Sequence, residues 1–414
     1  MSIAGSMFTA KTALDAFGES MGVIGHNIAN LNTVGFKSSR MDFADILPTV
    51  MGELETGHGV RVSDVSGSFQ QGAIETSENV TDLAIQGGGY FVLSNANQDI
   101  FYTRAGQFHL NNLQELVNPE GLNLQGATGN ISLAGATTVP ATATSALTLA
   151  LNLDATASTP ASTFPVVSDA SPAAWLSASS FSFIAPVYDS AGQSHDLTFL
   201  FRRATPNSWD YQVVAARSEL DPLAPTSTDL RQVSTGGTLV FSPDGTVNLA
   251  ASTTTDIGGL SWVNGASSQT SLNFGGTVQY GGPSTLLSMS QNGSAQGLLT
   301  GIGIDGQGVI TAQYSNGQFR SIDEVMLAIF PNGDGLDPQG DSLFAQSVDS
   351  GTAQVAPPGQ GGSGNILSGG LELSTVDLGR EFVSLITSQR SFQMNSKVIT
   401  VADEMFTVAA DLKR

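Results

Sequence analysis

IAGSMFTAKTALDAFGESMGVIGHNIANL, residues 3–31, carries the pattern that decides the fold. Ile3, Ala10, Phe17, Ile24 and Leu31 recur every seven residues, and Met7, Leu14, Met21 and Ile28 follow four residues after the first four of them. An apolar 4-3 alternation sustained this long predicts a coiled-coil helix, roughly 45 Å in length at 1.5 Å per residue. Its other faces carry only Lys11, Asp15 and Glu19 as charges, fewer than a fully solvated helix would hold. Gly5, Gly18, Gly22 and Gly25 weaken its intrinsic propensity, so packing must hold it.

The other end of the chain repeats the device. Leu378, Leu385, Phe392, Ile399 and Phe406 again recur every seven residues, with Ala402 and Ala409 between them. Phe382, Ile386, Met405 and Leu412 widen the stripe. A pair of ordinary core helices is the plainer alternative. Against it stands the middle of the chain, which reads as β structure and offers neither seam a long helical partner. Each terminal seam is therefore expected to pair with the other, with further copies of the chain, or with both.

In that middle, Leu147, Leu149, Leu151 and Leu153 alternate with small or polar residues, a period-2 strand. Leu197, Phe199 and Phe201 alternate in the same way, as do Trp209, Tyr211 and Val213. Turn chemistry separates the runs at 189–192, Pro243-Asp244-Gly245, Asp305-Gly306 and Asn316-Gly317. The 47 glycines suit such a strand-and-turn body. Residues 127–180, rich in Ala, Ser, Thr and Pro, read as a loose linker or a weakly constrained domain edge. Residues 351–370, rich in Gly, Pro and Ser, read as a second loose stretch.

Composition narrows the function. A chain of 414 residues with 40% hydrophobic content can bury a sizeable core in two or three domains. Charged residues make up only 12%, and the formal net charge is −21. Such acidity argues against a nucleic-acid or anionic-membrane partner, because phosphate neutralisation needs a basic surface. There is no cysteine, which excludes disulfides, thiolate metal sites and a cysteine nucleophile, and mildly favours life outside the cell. No apolar run reaches the length of a membrane span, and the first residues lack a basic, then apolar, leader. Export, if it occurs, is expected by a route that cleaves no signal peptide.

The chemical motifs yield little. His26, His58, His109 and His195 are scattered without ligand spacing and read as structural. Gly301-x-Gly303-x-x-Gly306 matches a dinucleotide fingerprint in letters, but a strand follows where that motif needs a helix, so a glycine-rich hairpin is expected. The stretch from Asn332 to Asp341 lacks the bidentate Glu of a calcium loop and reads as a polar turn. Gly87-Gly88-Gly89 marks a bend or close backbone approach. Neither a catalytic constellation nor a cofactor or metal site is expected.

After the N-terminal seam the chain reads NIANLNTVGFK, residues 27–37, which closely resembles the signature of bacterial flagellar rod and hook proteins. LELSTVDLGREFVSLITSQRSFQMNSKVITVADEM at 371–405 is similar to the matching C-terminal block, and DLAIQGGGYFVL (82–93) and YTRAGQFHL (102–110) also fit. Physically, Asn27, Asn30 and Asn32 are placed to tie backbone groups where the helix ends, Gly35 to make a turn closed to other residues, and Phe36 to anchor the chain after it. The insertion between the inner segments, including VYDSAGQSHDLTFLFRR at 187–203, is similar to that of the longer, hook-type members.

The resemblance implies a mixed fold in which paired terminal coiled-coil helices flank mainly-β domains nested in one another. The expected divisions are 1–33 with 371–414 as the terminal coiled coil, 34–75 with 352–370 as linkers, 76–146 with 286–351 as an inner β domain, and 147–285 as an inserted outer one. It further implies a self-assembling structural subunit, forming a flexible extracellular tube that transmits torque. Implied partners are many copies of the chain, the flagellar rod, a hook cap, hook–filament junction proteins and the type III export apparatus. The terminal seams are expected to be largely disordered in a free subunit and to fold on assembly, since a lone copy leaves much apolar surface exposed. A distal-rod-type subunit and, in another class, a secreted β-rich binding protein are the alternatives.

Overall fold

The computed structural model describes the backbone over residues 3–46, 49–51, 54–56 and 58–411, and side chains over 5–46 and 58–408. Among the described residues four α-helices run in chain order as α1 (Ile3–Ala29), α2 (Pro172–Ser177), α3 (Arg217–Leu220) and α4 (Leu378–Asp411). The chain divides into two compact units, the first comprising 1–136, 301–313 and 319–414, the second 137–300 and 314–318.

The first unit holds both terminal helices. They pack on each other and run antiparallel: Asn27 meets Glu381 at one end, and Ser6 lies beside Ala402 and Met405 at the other. Asp377 caps α4, its Oδ1 accepting the backbone N–H of Gly379 at 2.9 Å and of Arg380 at 3.2 Å. After α1 the chain turns back, and the antiparallel strands Ser39–Asp45 and Val60–Gly67 lie along it. Phe17 of α1 meets Phe43 at 5.8 Å between ring centroids, and Thr12 Oγ1 accepts the Val60 N–H.

The β body of this unit centres on the strand Tyr90–Ser94, paired with Ile100–Thr103, Asn123–Gly126 and Leu327–Ile329. Leu83, Ile85, Phe91, Leu93, Phe108, Leu116, Leu124 and Leu327 form its core, and Tyr90, Val92, Tyr102 and Phe330 pack on the other face of the sheet. Alternation of side chains across Tyr90–Ser94 explains why one strand feeds both clusters. The stretch expected as a C-terminal linker is instead built into sheets. Gln354–Ala356 pairs with Leu327–Ile329, Asn365–Ser368 with Leu83–Gln86, and Gly370–Glu372 with Ile74–Thr76. Composition alone suggested looseness, but ladder pairing uses backbone groups that every one of these residues but proline supplies.

The second unit is a sandwich of two sheets. Ala146–Asn152 runs between Thr285–Gln291, antiparallel, and Ser267–Asn273, parallel. Facing it, Phe181–Tyr188, Ser194–Thr205 and Ser208–Ala216 form an antiparallel meander. The predicted period-2 residues Leu147, Leu149, Leu151 and Leu153 meet Leu197, Phe199, Phe201, Trp209, Tyr211 and Val213 in one fully buried core. On the meander's other face, Leu200 and Val214 are covered by Trp175 of α2. His195, on the core side of Ser194–Thr205, is buried between two acids, its ring nitrogens 3.0 Å from Asp189 and 2.7 Å from Glu219, with Trp262 of the core stacked on it at 3.6 Å.

Candidate assembly site

The paired helices present the surface with most to offer a neighbour. α1 packs on α4 and on the two strands beside it, and the stripe of residues it buries is mostly small: Ala10, Ala13, Ala16 and Ser20, with Ile24 and Asn27, while Ser388 and Ala402 are buried on α4. Small side chains let two backbones approach closely, and their spacing of three and four residues repeats at nearly the same period as the large apolar seam. The predicted seam lies beside this stripe. Ala10 and Ile24 belong to both, while Met7, Leu14, Phe17, Met21, Ile28 and Leu31 are half-buried. The side chain of Ile3 falls outside the described residues, as do those of Ala409 and Leu412.

On α4 the offset is larger. Leu385 and Ile399 are half-buried, but Leu378, Phe382, Phe392 and Phe406 are exposed, the three phenylalanines at 48%, 37% and 43%. Val383, Ile386, Met394, Val398, Val401, Met405 and Val408 are exposed as well. An apolar face of this length on one helix exceeds what a solitary soluble protein leaves to water. At roughly 1.5–3 kcal/mol for each such side chain fully buried, covering it is a large driving force for association.

The motif after α1 fixes how the helices are mounted. Asn27 treats Ser39 as a strand neighbour would: its Oδ1 accepts the Ser39 N–H at 2.9 Å and its Nδ2 donates to the Ser39 carbonyl at 2.7 Å. The same Nδ2 lies 3.1 Å from Glu381 Oε1, so one buried amide joins α1, the following strand and α4. Asn30 donates to the His26 carbonyl at 3.0 Å and accepts from Thr33 Oγ1 at 3.0 Å, closing the helix end. Asn32 is exposed. Gly35 has φ +70°, and its N–H donates to the Glu372 carbonyl at 2.8 Å. Phe36 is half-buried, with its ring edge-on to His26 at 5.5 Å.

Beneath the motif lies a charged cluster that sequence reading missed. Glu372 is wholly buried; its Oε1 accepts Lys37 Nζ at 2.6 Å and the Gly72 N–H at 2.7 Å, and its Oε2 lies 3.4 Å from Arg104 Nη1. Lys37 also donates to the Gln70 carbonyl at 2.7 Å, and Arg104 to the Gly87 carbonyl at 2.8 Å while facing the Tyr90 ring. Burial pulls both cations below their ordinary values, against the opposing pull of the Glu372 carboxylate. Burial also pushes the Tyr90 hydroxyl up to about 12. The available signal was rarity: in so lightly charged a sequence, a Lys, an Arg and a Glu sit inside three of the quoted motif segments.

Elsewhere, the residues 332–341 form a short turn and strand, and among the described residues no three His, Cys, Asp or Glu side chains gather to hold a metal. Among the described residues no helix is long and apolar enough to cross a membrane.

Four family profiles match the chain in order. They are described as flagella basal body rod protein (residues 7–37), flagellar hook protein FlgE/F/G D1 domain (84–150), flagellar basal body protein FlaE D2 domain (152–294) and flagellar basal body rod FlgEFG protein C-terminal (367–412). The flagellar hook protein FlgE of Salmonella typhimurium is 33% identical over 427 residues, covering 99% of this chain and all of that one. That of Escherichia coli is 32% identical, covering 98% and 99%, and that of Treponema pallidum 31%, covering 99% of each. Among solved structures, the flagellar hook protein FlgE2 of Helicobacter pylori superposes with a TM-score of 0.52 at 15% identity, over 72% of this chain and all of that one, a likeness of fold.

Proposed function

The chain belongs to the flagellar hook protein FlgE family, and on that premise we propose that its assembly face is the outward apolar side of the paired helices α1 and α4. It is a structural subunit of the bacterial flagellar hook, polymerising into the flexible extracellular tube that transmits torque from rod to filament. The observation that carries this is identity sustained over the whole chain rather than over one domain.

Phe382, Phe392 and Phe406, with the half-buried seam of α1, supply the contacts between copies. The small-residue stripe keeps the two helices together as one unit, so that the larger side chains remain free for neighbours. In a subunit not yet incorporated the ends are loosely held and settle on docking, because much of the apolar surface of α4 is left exposed within the chain. The rod below, a cap at the growing end, junction proteins above and the type III export apparatus are the further partners, and the chain leaves the cell without cleavage of a leader. The absence of cysteine suits life outside the cell.

The test is replacement. In a motile bacterium lacking its own hook subunit, expression of this chain is expected to restore curved hooks bearing filaments. Bare rods in cells that export the protein would overturn the assignment. The double variant Phe392→Asp/Phe406→Asp is expected to remain folded and exported yet build no hook; normal hooks from it would overturn the choice of face.

A further inference from the structure

The two units draw on the sequence differently. The second is taken almost entirely from one continuous span, 137–300. The first closes only with residues near the end of the chain, since Asn365–Ser368 and Gly370–Glu372 complete ladders begun by Leu83–Gln86 and Ile74–Thr76. The last of these strands also delivers a charge. Lys37 and Arg104, with side chains 2% and 6% exposed, both take Glu372 as their acid, and Glu372 follows them by 335 and 268 residues. Among the described residues neither cation has another ion-pair partner. A native-like first unit without residue 372 would hold two buried, uncompensated cations, a strongly unfavourable state.

We propose that Glu372 is a folding gate: the first unit reaches its native state only when the segment 365–372 is free to add, whereas the second unit folds beforehand from its own span. A chain that emerges N-terminus first therefore cannot seat its helix-mounting motif early. Gly35 is bonded to the Glu372 carbonyl, and Thr375 N–H to the Phe36 carbonyl at 3.2 Å, so the turn after α1 is fixed by the same late segment. An incomplete chain thus cannot present the paired helices to a growing polymer. This order belongs to the single chain, whatever that chain assembles into.

Hydrogen exchange on the full-length protein, read by mass spectrometry, tests the gate. In Glu372→Ala, amides of Leu83–Gln86 and Tyr90–Ser94 are expected to exchange at least about a hundredfold faster, while those of Ser194–Thr205 keep parental rates. Adding Lys37→Met to Glu372→Ala removes one of the stranded cations and is expected to recover about tenfold of that loss. Unchanged exchange in the single variant, equal loss in both units, or no recovery in the double variant would each overturn the proposal. Pulse labelling during refolding of the parent gives a second readout that needs no variant. Protection is expected in Ser194–Thr205 before Tyr90–Ser94, and simultaneous or reversed protection would also overturn it.

Discussion

Replacing Gly35 by alanine should damage the first unit far more than a surface glycine replacement does, and the structure says by how much. Gly35 sits at φ +70°, where an L side chain costs about 1–2 kcal/mol. A Cβ added there would lie 2.4 Å from Ala105 N, 2.7 Å from Arg104 C and 2.8 Å from Ala105 Cα. All three are backbone atoms and cannot rotate away. Moving them displaces Arg104 from Glu372, so steric strain and a weakened buried ion pair add to the conformational cost. A total of about 3–5 kcal/mol follows, in the range reserved for backbone strain combined with a disturbed buried network. Gly121 provides the control, because its φ is +83° but nothing lies within 4 Å of the added Cβ. Gly121→Ala should therefore cost only the conformational part. At roughly 2–4 °C per kcal/mol for a unit of this size, calorimetry of the full-length protein should show the first unit's transition falling by about 6–20 °C in Gly35→Ala and by under about 8 °C in Gly121→Ala. Equal shifts in the two variants would refute the close-approach reasoning.

Three further outcomes are expected. Asn27→Asp keeps the acceptor for the Ser39 N–H but loses both donations and sets a second carboxylate beside Glu381; a loss of about 1–3 kcal/mol in urea unfolding is expected, more than for Asn32→Asp at an exposed position. His195→Ala removes the bonds to Asp189 and Glu219 and the stack on Trp262, so proteolytic nicking of the second unit near residues 189–193 and 262–266 should accelerate, with no change in the first unit. In the second unit Asp169 is held below its ordinary value of 3.8, chiefly by the Arg231 guanidinium, and Asp221 chiefly by the Leu223 N–H with Arg217 and Arg231 assisting. Both folded-state values lie below the unfolded one, so their contribution is complete above 3.8 and is lost as pH falls through the lowered values. Acid titration of Asp169→Asn should show a shallower loss of stability below pH 4 than the parent.

Local periodicity made much of the architecture readable. Leu147, Leu149, Leu151 and Leu153 alternate strictly, and the strand they define buries that face completely, because a period of two leaves no other choice once one side meets a core. The heptads located both terminal helices for a similar reason. They were less informative about which side the helices turn to each other, since Ala10, Ala13, Ala16 and Ser20 form a parallel stripe that a search for large apolar residues passes over. The same search found Phe382, Phe392 and Phe406 because they are large, yet more than a third of each of these side chains is left exposed. Residues 351–370 look unstructured in composition because their order comes from ladder partners elsewhere in the chain, Leu327–Ile329 and, far upstream, Leu83–Gln86. Lys37, Arg104 and Glu372 were hidden for the same reason: no local pattern announces that three charges so far apart will share one buried site.

The outward face of α4 is where the account stands or falls, and the lack of native cysteine makes it directly accessible to measurement. A single cysteine at Val401, exposed in the isolated chain, can be labelled with a polarity-sensitive fluorophore and followed before and after polymerisation. A strong blue shift and loss of quenching by iodide are expected in the polymer, as Val401 becomes buried against a neighbouring copy. Emission and quenching that stay at their monomer values in well-formed tubes would contradict it.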